Sequence, residues 1–184
     1  MATKSTIFKV DLQIADLDRN YYHNHLLTVA RHPSETDERM IVRLLAFALY
    51  AHEDLTFGGG LSTQDEPDLW RKDYTGAIEL WIDVGLPDEK NVRRACGRAK
   101  EVGIATYGGR IADMWWRQNQ SSLLRQNNLT IVDLPSEATR ALAELTTRSM
   151  QIQCTRQEGE LWLTLAGATI QLVPEIRMLA KTGQ

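Results

Sequence analysis

Two aspartates, Asp68 and Asp83, carry the spacing most suited to chemistry in this chain, inside an acidic hairpin that runs from Glu66 to Gly85. From Ala77 to Gly85 apolar and polar residues alternate: Ile78, Leu80, Ile82 and Val84 fall on one face of a predicted strand, and Glu79, Trp81 and Asp83 on the other. Asp73 to Gly76 supplies a turn, so residues 66–72 fold back antiparallel onto 77–83. With a symmetric turn, Trp70 faces Glu79 and Asp68 faces Trp81. Asp68 then lies diagonal to Asp83 on one sheet face, their α-carbons roughly 7–8 Å apart. Carboxylates so placed can share a magnesium or manganese ion, and magnesium needs few protein ligands, with oxygens at roughly 2.0–2.1 Å and several retained waters. Glu79 shares the face but is displaced along the strand by roughly 13 Å from Asp83, beyond the reach of one ion. Residue type alone also allows these acids to form a solvated strand edge.

Other side chains weigh less. His23 and His25 form an H-X-H pattern that zinc can use, yet no Cys or acidic partner stands nearby in sequence, which favours a structural role. His32 beside Arg31 fits a turn. Trp115 and Trp116 can stack on bases, but neighbours on a helix point about 100° apart, so at least one must enter the core. Gly58, Gly59 and Gly60 sit in a mobile loop, Glu53 to Gln64, and are followed by Leu61, Ser62 and Thr63, without the Lys-Ser/Thr pair of a phosphate-binding P-loop. There is no nucleophile motif and no dinucleotide fingerprint.

The elements that must position the acids are those of one α/β domain. With 184 residues the chain can bury a sizeable core. Its 21 basic and 24 acidic residues, net charge -3, offer no general attraction to nucleic acid or acidic membranes, so any phosphate binding is local. Two cysteines make no disulfide framework, and no apolar run reaches membrane-spanning length. A cytoplasmic protein is expected. Phe8, Val10, Leu12 and Ile14 alternate as a strand, and a second strand runs through Leu26 to Ala30. Ser34 with Asp37 forms a capping-box pattern before a helix from about Glu35 to Ala51, which buries Ile41, Leu44, Leu45 and Ala48. Asp88 caps a helix through Val102. A strand at Ile104–Tyr107, a helix from Arg110 to Arg125, a strand at Thr130–Leu134, a helix from Ser136 to Thr147 and paired strands turning at Glu158-Gly159 complete the chain.

The motifs Arg31-His32-Pro33-Ser34-Glu35-Thr36, Asp65-Glu66-Pro67-Asp68, Leu80-Trp81-Ile82-Asp83-Val84-Gly85-Leu86-Pro87-Asp88-Glu89 and Trp115-Trp116 with Gln118-Asn119-Gln120 resemble, in this order and over nearly the whole length, the YaeQ family of bacterial proteins. The resemblance implies a compact variant of the restriction-endonuclease-like PD-(D/E)XK fold, a mixed central sheet flanked by helices. Pro67-Asp68 then looks like the PD element and Asp83-Val84-Gly85 like (D/E)-X-K, with Gly85 where the lysine belongs. In such nucleases the two acids and the carbonyl of the X residue, here Val84, hold the metal. Glu38 on the first helix looks like the glutamate that often completes the site, or else forms a surface pair with a neighbouring arginine. Lys90, Arg93 and Arg94 are the nearest cations in sequence to replace the lysine, and Arg93 and Arg94 can grip a phosphate backbone. The expected activity is metal-dependent phosphodiester hydrolysis on nucleic acid. The alternative is a non-catalytic binding or interaction protein that has lost the lysine.

Overall fold

A computed structural model describes residues 4–63 and 65–181. Among them the chain forms a mixed α/β fold in which the strands divide between two mixed sheets instead of filling a single central one. The first sheet has the order β10-β9-β8-β1-β2, from Ala168–Leu172, Glu160–Leu165, Ser149–Gln157, Thr6–Asp16 and Tyr21–Arg31. The second has the order β11-β7-β6-β5-β4-β3, from Glu175–Met178, Leu129–Asp133, Glu101–Thr106, Ile78–Val84, Leu69–Lys72 and Thr56–Phe57. Helices α1 (Asp37–Leu49), α2 (Glu89–Arg98), α3 (Arg110–Leu123) and α4 (Ser136–Glu144) flank them.

α1 is the centre of the main core. Met40, Ile41, Leu44, Leu45, Phe47 and Ala48 are buried in one cluster with Phe8, Val10, Leu12 and Ile14 of β1 and with Leu80, Ile82 and Val84 of β5. Fully burying such side chains contributes roughly 1.5–3 kcal/mol each, which explains why a helix apolar on nearly every side sits between two sheets. The opposite face of the second sheet carries a smaller core, in which Trp81, Val102, Ile104 and Ile131 pack against Val92 and Ala95 of α2 and Trp115 of α3.

Element by element, several expectations move. Thr36, not Ser34, caps α1 by accepting from the Arg39 N–H at 3.1 Å, while the Ser34 hydroxyl is held by His32 Nδ1 at 2.7 Å. α2 stops at Arg98, because Val102 belongs to β6 and pairs in parallel with Trp81. The second strand extends back to Tyr21, so His25 is a buried strand residue bonded to the Tyr21 hydroxyl at 2.8 Å, a core role. The expected loop contains β3, and β11 follows where no strand was expected. Trp115 is buried with its indole N–H on the Pro87 carbonyl, and Trp116 packs half-buried beside it.

Candidate metal centre

Asp68 and Asp83 come together at the end of the β4–β5 hairpin, by a register different from the symmetric one. Leu69 pairs with Ile82, Trp70 with Trp81 and Arg71 with Leu80, and then the ladder slips so that Lys72 meets Ile78. Glu79 is the extra residue of a β-bulge, and its carboxylate is taken by Lys100 at 2.6 Å. One step beyond Leu69–Ile82, Asp68 stands across from Asp83, about 5 Å between α-carbons by antiparallel geometry. Asp68 Oδ2 accepts the Val84 N–H at 2.9 Å, which locks the two segments together.

The triglycine segment seats Asp68. Gly58 N–H donates to the Asp68 carbonyl, Gly60 N–H to the Pro67 carbonyl and Gly59 N–H to Glu66 Oε2. A Cβ on Gly58 would fall 2.2 Å from the Pro67 carbonyl oxygen, and Gly60, at φ +50°, would place one 2.8 Å from Asp68 Oδ1. The loop expected to be mobile is therefore packed against the Pro67-Asp68 element, where side chains would not fit.

Both acids line one open cleft of about 420 Å³ with Arg39, Tyr107, Asn91 and Arg94. Burial pushes the Asp83 carboxyl up to about 6, with the charge of Asp68 adding to the effect and a hydrogen bond from Trp81 Nε1 at 2.9 Å opposing it. Burial likewise raises Asp68, and Arg39 and the Val84 N–H offset that only in part.

Arg39 is the residue that sequence reasoning missed. Its Nη2 lies 3.0 Å from Asp68 Oδ1, 3.1 Å from Oδ2 and 3.4 Å from the Val84 carbonyl oxygen. Burial works against the charge of Arg39, and Asp68 and Glu35 outweigh it. Glu35, itself buried, accepts from Arg39 Nη1 at 3.0 Å and from Arg43 Nε and Nη2 at 2.8 and 2.7 Å, and Arg43 reaches on to the Ala30 carbonyl of β2. The signal was present in the i, i+4 and i+8 spacing of Glu35, just ahead of the Thr36 cap, with Arg39 and Arg43 on one face of α1.

Glu38 does not complete the site. One residue from Arg39, and so about 100° round the helix, it turns to α4 and accepts from the Thr139 hydroxyl at 2.9 Å. Lys90 is exposed in the first turn of α2 and does not line the cleft. Arg93 also lies outside it, facing Glu89 one turn back at 3.9 Å. Arg94 does line the cleft and pairs with Asp65 at 3.5 Å. Gly85 adopts φ +97°, a conformation that strains any L side chain, so the backbone itself penalises a lysine there.

Among the described residues no three His, Cys, Asp or Glu side chains converge on a point fit for an ion. An ion here would have two carboxylates and the Val84 carbonyl. The donor set suits magnesium or manganese, and Asp68 Oδ1 is buried without a well-formed hydrogen bond despite its nearness to Arg39.

The two sheets, the central α1 and the paired aspartates define a mixed α/β protein with an acidic cleft at the end of a hairpin. The chain belongs to the YaeQ family, whose sequence model, described as YaeQ protein, matches residues 1–174. It is 47% identical over 165 residues to the uncharacterized protein YaeQ of Escherichia coli K12, covering 89% of this chain and 91% of that protein. It superposes on the crystal structure of YaeQ from Xanthomonas axonopodis pv. citri with a TM-score of 0.92 at 48% identity, covering 97% of this chain and 99% of the other. For YaeQ from Pseudomonas syringae the TM-score is 0.90 at 33% identity, with 98% and 97% covered. No described helix is long and apolar enough to cross a membrane.

Proposed function

We infer that the cleft is a divalent-metal phosphodiesterase site of the nuclease type, in which Arg39 supplies the positive charge that a lysine would otherwise supply from the position of Gly85. The observation that carries this reading is the meeting of Asp68, Asp83 and the Val84 carbonyl in one open cleft beside a guanidinium anchored by Glu35. Asp68, Asp83 and the Val84 carbonyl would hold magnesium or manganese, which supplies polarisation of a phosphoryl oxygen and a more acidic bound water. Arg39 and Arg94 present donors to phosphate oxygens, Arg39 in a planar fork suited to them. Arg39 remains protonated throughout, so it stabilises charge and takes no proton.

One contact favours the second reading, a non-catalytic nucleic-acid-binding or interaction protein: Arg39 Nη2 already touches Asp68 and Val84, as a cation built into the chain. Calorimetric titration of manganese into the wild type, Asp68→Asn and Asp83→Asn tests the metal site first. Saturable binding lost in both folded variants is expected. A panel of single-stranded, double-stranded and structured nucleic acids with magnesium or manganese then tests turnover: cleavage abolished by Asp83→Asn supports the enzyme, and binding without cleavage supports the second reading.

A further inference from the structure

A second cavity, of about 590 Å³, lies at the other end of α1 and shares no lining residue with the acidic cleft. Its size falls within the roughly 300–1,000 Å³ of small-molecule sites. The cavity arises because α1 ends at Leu49, leaving the start of the strands in the second sheet uncovered. Leu80 of β5, Glu101 of β6 and Thr130 of β7 line it, with Leu49 and Tyr50 from the end of the helix.

The strand ladder sets what the floor offers. Arg71 pairs with Leu80 and Leu80 with Glu101, so the three stand in one row. Arg71 and Glu101 are thus roughly 10 Å apart, two strand spacings. Val132 pairs with Ile176, which continues the apolar surface to a rim where Val173, Ile176 and Leu179 stay largely exposed. Gly103 adds depth beneath Tyr50: a Cβ there would come 2.8 Å from the Tyr50 hydroxyl. That hydroxyl is held protonated by burial, its pKa pushed up to about 12, and no hydrogen bond to it is formed among the described residues.

Three arginines line this cavity, and two of them are already engaged. Arg19 bonds to Asp16 and to the Ala48 and Ala51 carbonyls, and Arg156 bonds to Asp16 and the Leu49 carbonyl, so both neutralise the carbonyl end of α1. The side chain of Arg71 makes no hydrogen bond or ion pair among the described residues, although the residue is half-buried. A half-buried guanidinium without a partner, beside an apolar floor, is complementary to an anion that carries an apolar body.

We propose that this cavity binds a small amphipathic carboxylate, its head group on Arg71 and its apolar body laid over Leu80 and Val132 towards Ile176. The charge sets the head: Glu101 at the far end of the row repels an anion, and Arg71 attracts it. The exposed rim sets the body, since apolar surface at Val173, Ile176 and Leu179 is covered only when the ligand is present.

The test titrates decanoate, decanol and inorganic phosphate into the full chain by calorimetry. Saturable binding of one decanoate per chain is expected, at least tenfold tighter than decanol or phosphate. Arg71→Gln should remove the advantage over decanol, Arg71→Lys should restore most of it, and Asp83→Asn should leave it unchanged. Ile176→Trp, on the exposed rim, should block decanoate and decanol alike, and it decides the matter should Arg71→Gln not fold. Absence of saturable decanoate binding overturns the proposal. Equal binding by a folded Arg71→Gln protein, undiminished binding by Ile176→Trp, or phosphate as tight as decanoate does so too, the last because it would mark a plain anion site.

Discussion

The guanidinium of Arg39 bridges the carboxylate of Asp68 and the carbonyl of Val84, so a cation from α1 is fastened to the end of the β4–β5 hairpin. The side chains of Asp68 and Arg39 are 4% and 16% exposed. Removing one partner from so buried a pair costs about 3–5 kcal/mol, whereas replacing both with apolar residues of similar volume costs far less. Arg39→Met is therefore expected to lower stability by that amount in denaturant unfolding, and Asp68→Leu/Arg39→Met to recover most of it. A double variant no more stable than the single one would show that the pair does not hold the hairpin.

The same bridge sets an order of events for metal binding. Arg39 and a divalent cation contend for Asp68 and the Val84 carbonyl, so Arg39→Gln is expected to bind manganese several-fold more tightly than the wild type by calorimetry. Under the enzymatic reading it also loses cleavage. Weaker manganese binding by a folded Arg39→Gln protein would mean that the guanidinium helps to shape the metal site instead of competing for it.

Asp83 makes stability depend on pH in a defined direction. Its folded pKa of about 6 lies above the ordinary 3.8, so between these values the native state binds more protons than the unfolded chain. The contribution is most favourable below about pH 4 and is lost as pH rises through about 6. Asp83→Asn is thus expected to add ~1–3 kcal/mol at pH 7.5 and close to nothing at pH 4. Thermal unfolding at both pH values checks this, and an equal gain at each would remove ionisation of Asp83 as the cause. Because a ligand carboxylate must be deprotonated, manganese affinity should also weaken as pH falls below about 6.

Placing a lysine at position 85 is not expected to add activity. A Cβ added to Gly85, which sits at φ +97°, would meet no atom within 4 Å, so the obstacle is the backbone and not lack of space. Gly85→Lys should cost about 1–3 kcal/mol, and Gly85→Ala about as much, without any gain in nucleic-acid cleavage. Cleavage enhanced by Gly85→Lys would show that the strand end can be re-laid.

The parts of this molecule that are legible in sequence are those governed by periodicity. The alternation of Ile78, Leu80, Ile82 and Val84 places β5, and the apolar positions of α1 place the central helix. The pairing register of the hairpin was not legible, because it depends on a bulge at Glu79 that no turn rule reveals. The i, i+4 spacing of Glu35 and Arg39 signals their pairing, but not whether Arg39 or Glu38 turns to the cleft. The two are neighbours on α1, and which of them faces the cleft follows from how the helix is rotated against both sheets, a tertiary matter. The triglycine segment reads as a breaker in sequence, and only the close approach of Pro67 to Gly58, of Thr63 and Glu66 to Gly59, and of Asp68 to Gly60 explains why three side chains are absent there.

The positive φ at Gly85 limits which residues the end of β5 can carry. A strand end in this conformation admits glycine and penalises a lysine, so a lysine introduced there meets a folding penalty whatever its charge would offer the cleft. Positive charge at the acidic cleft is thereby left to positions that tolerate side chains, and Arg39, tethered by Glu35 on a rigid helix, is such a position.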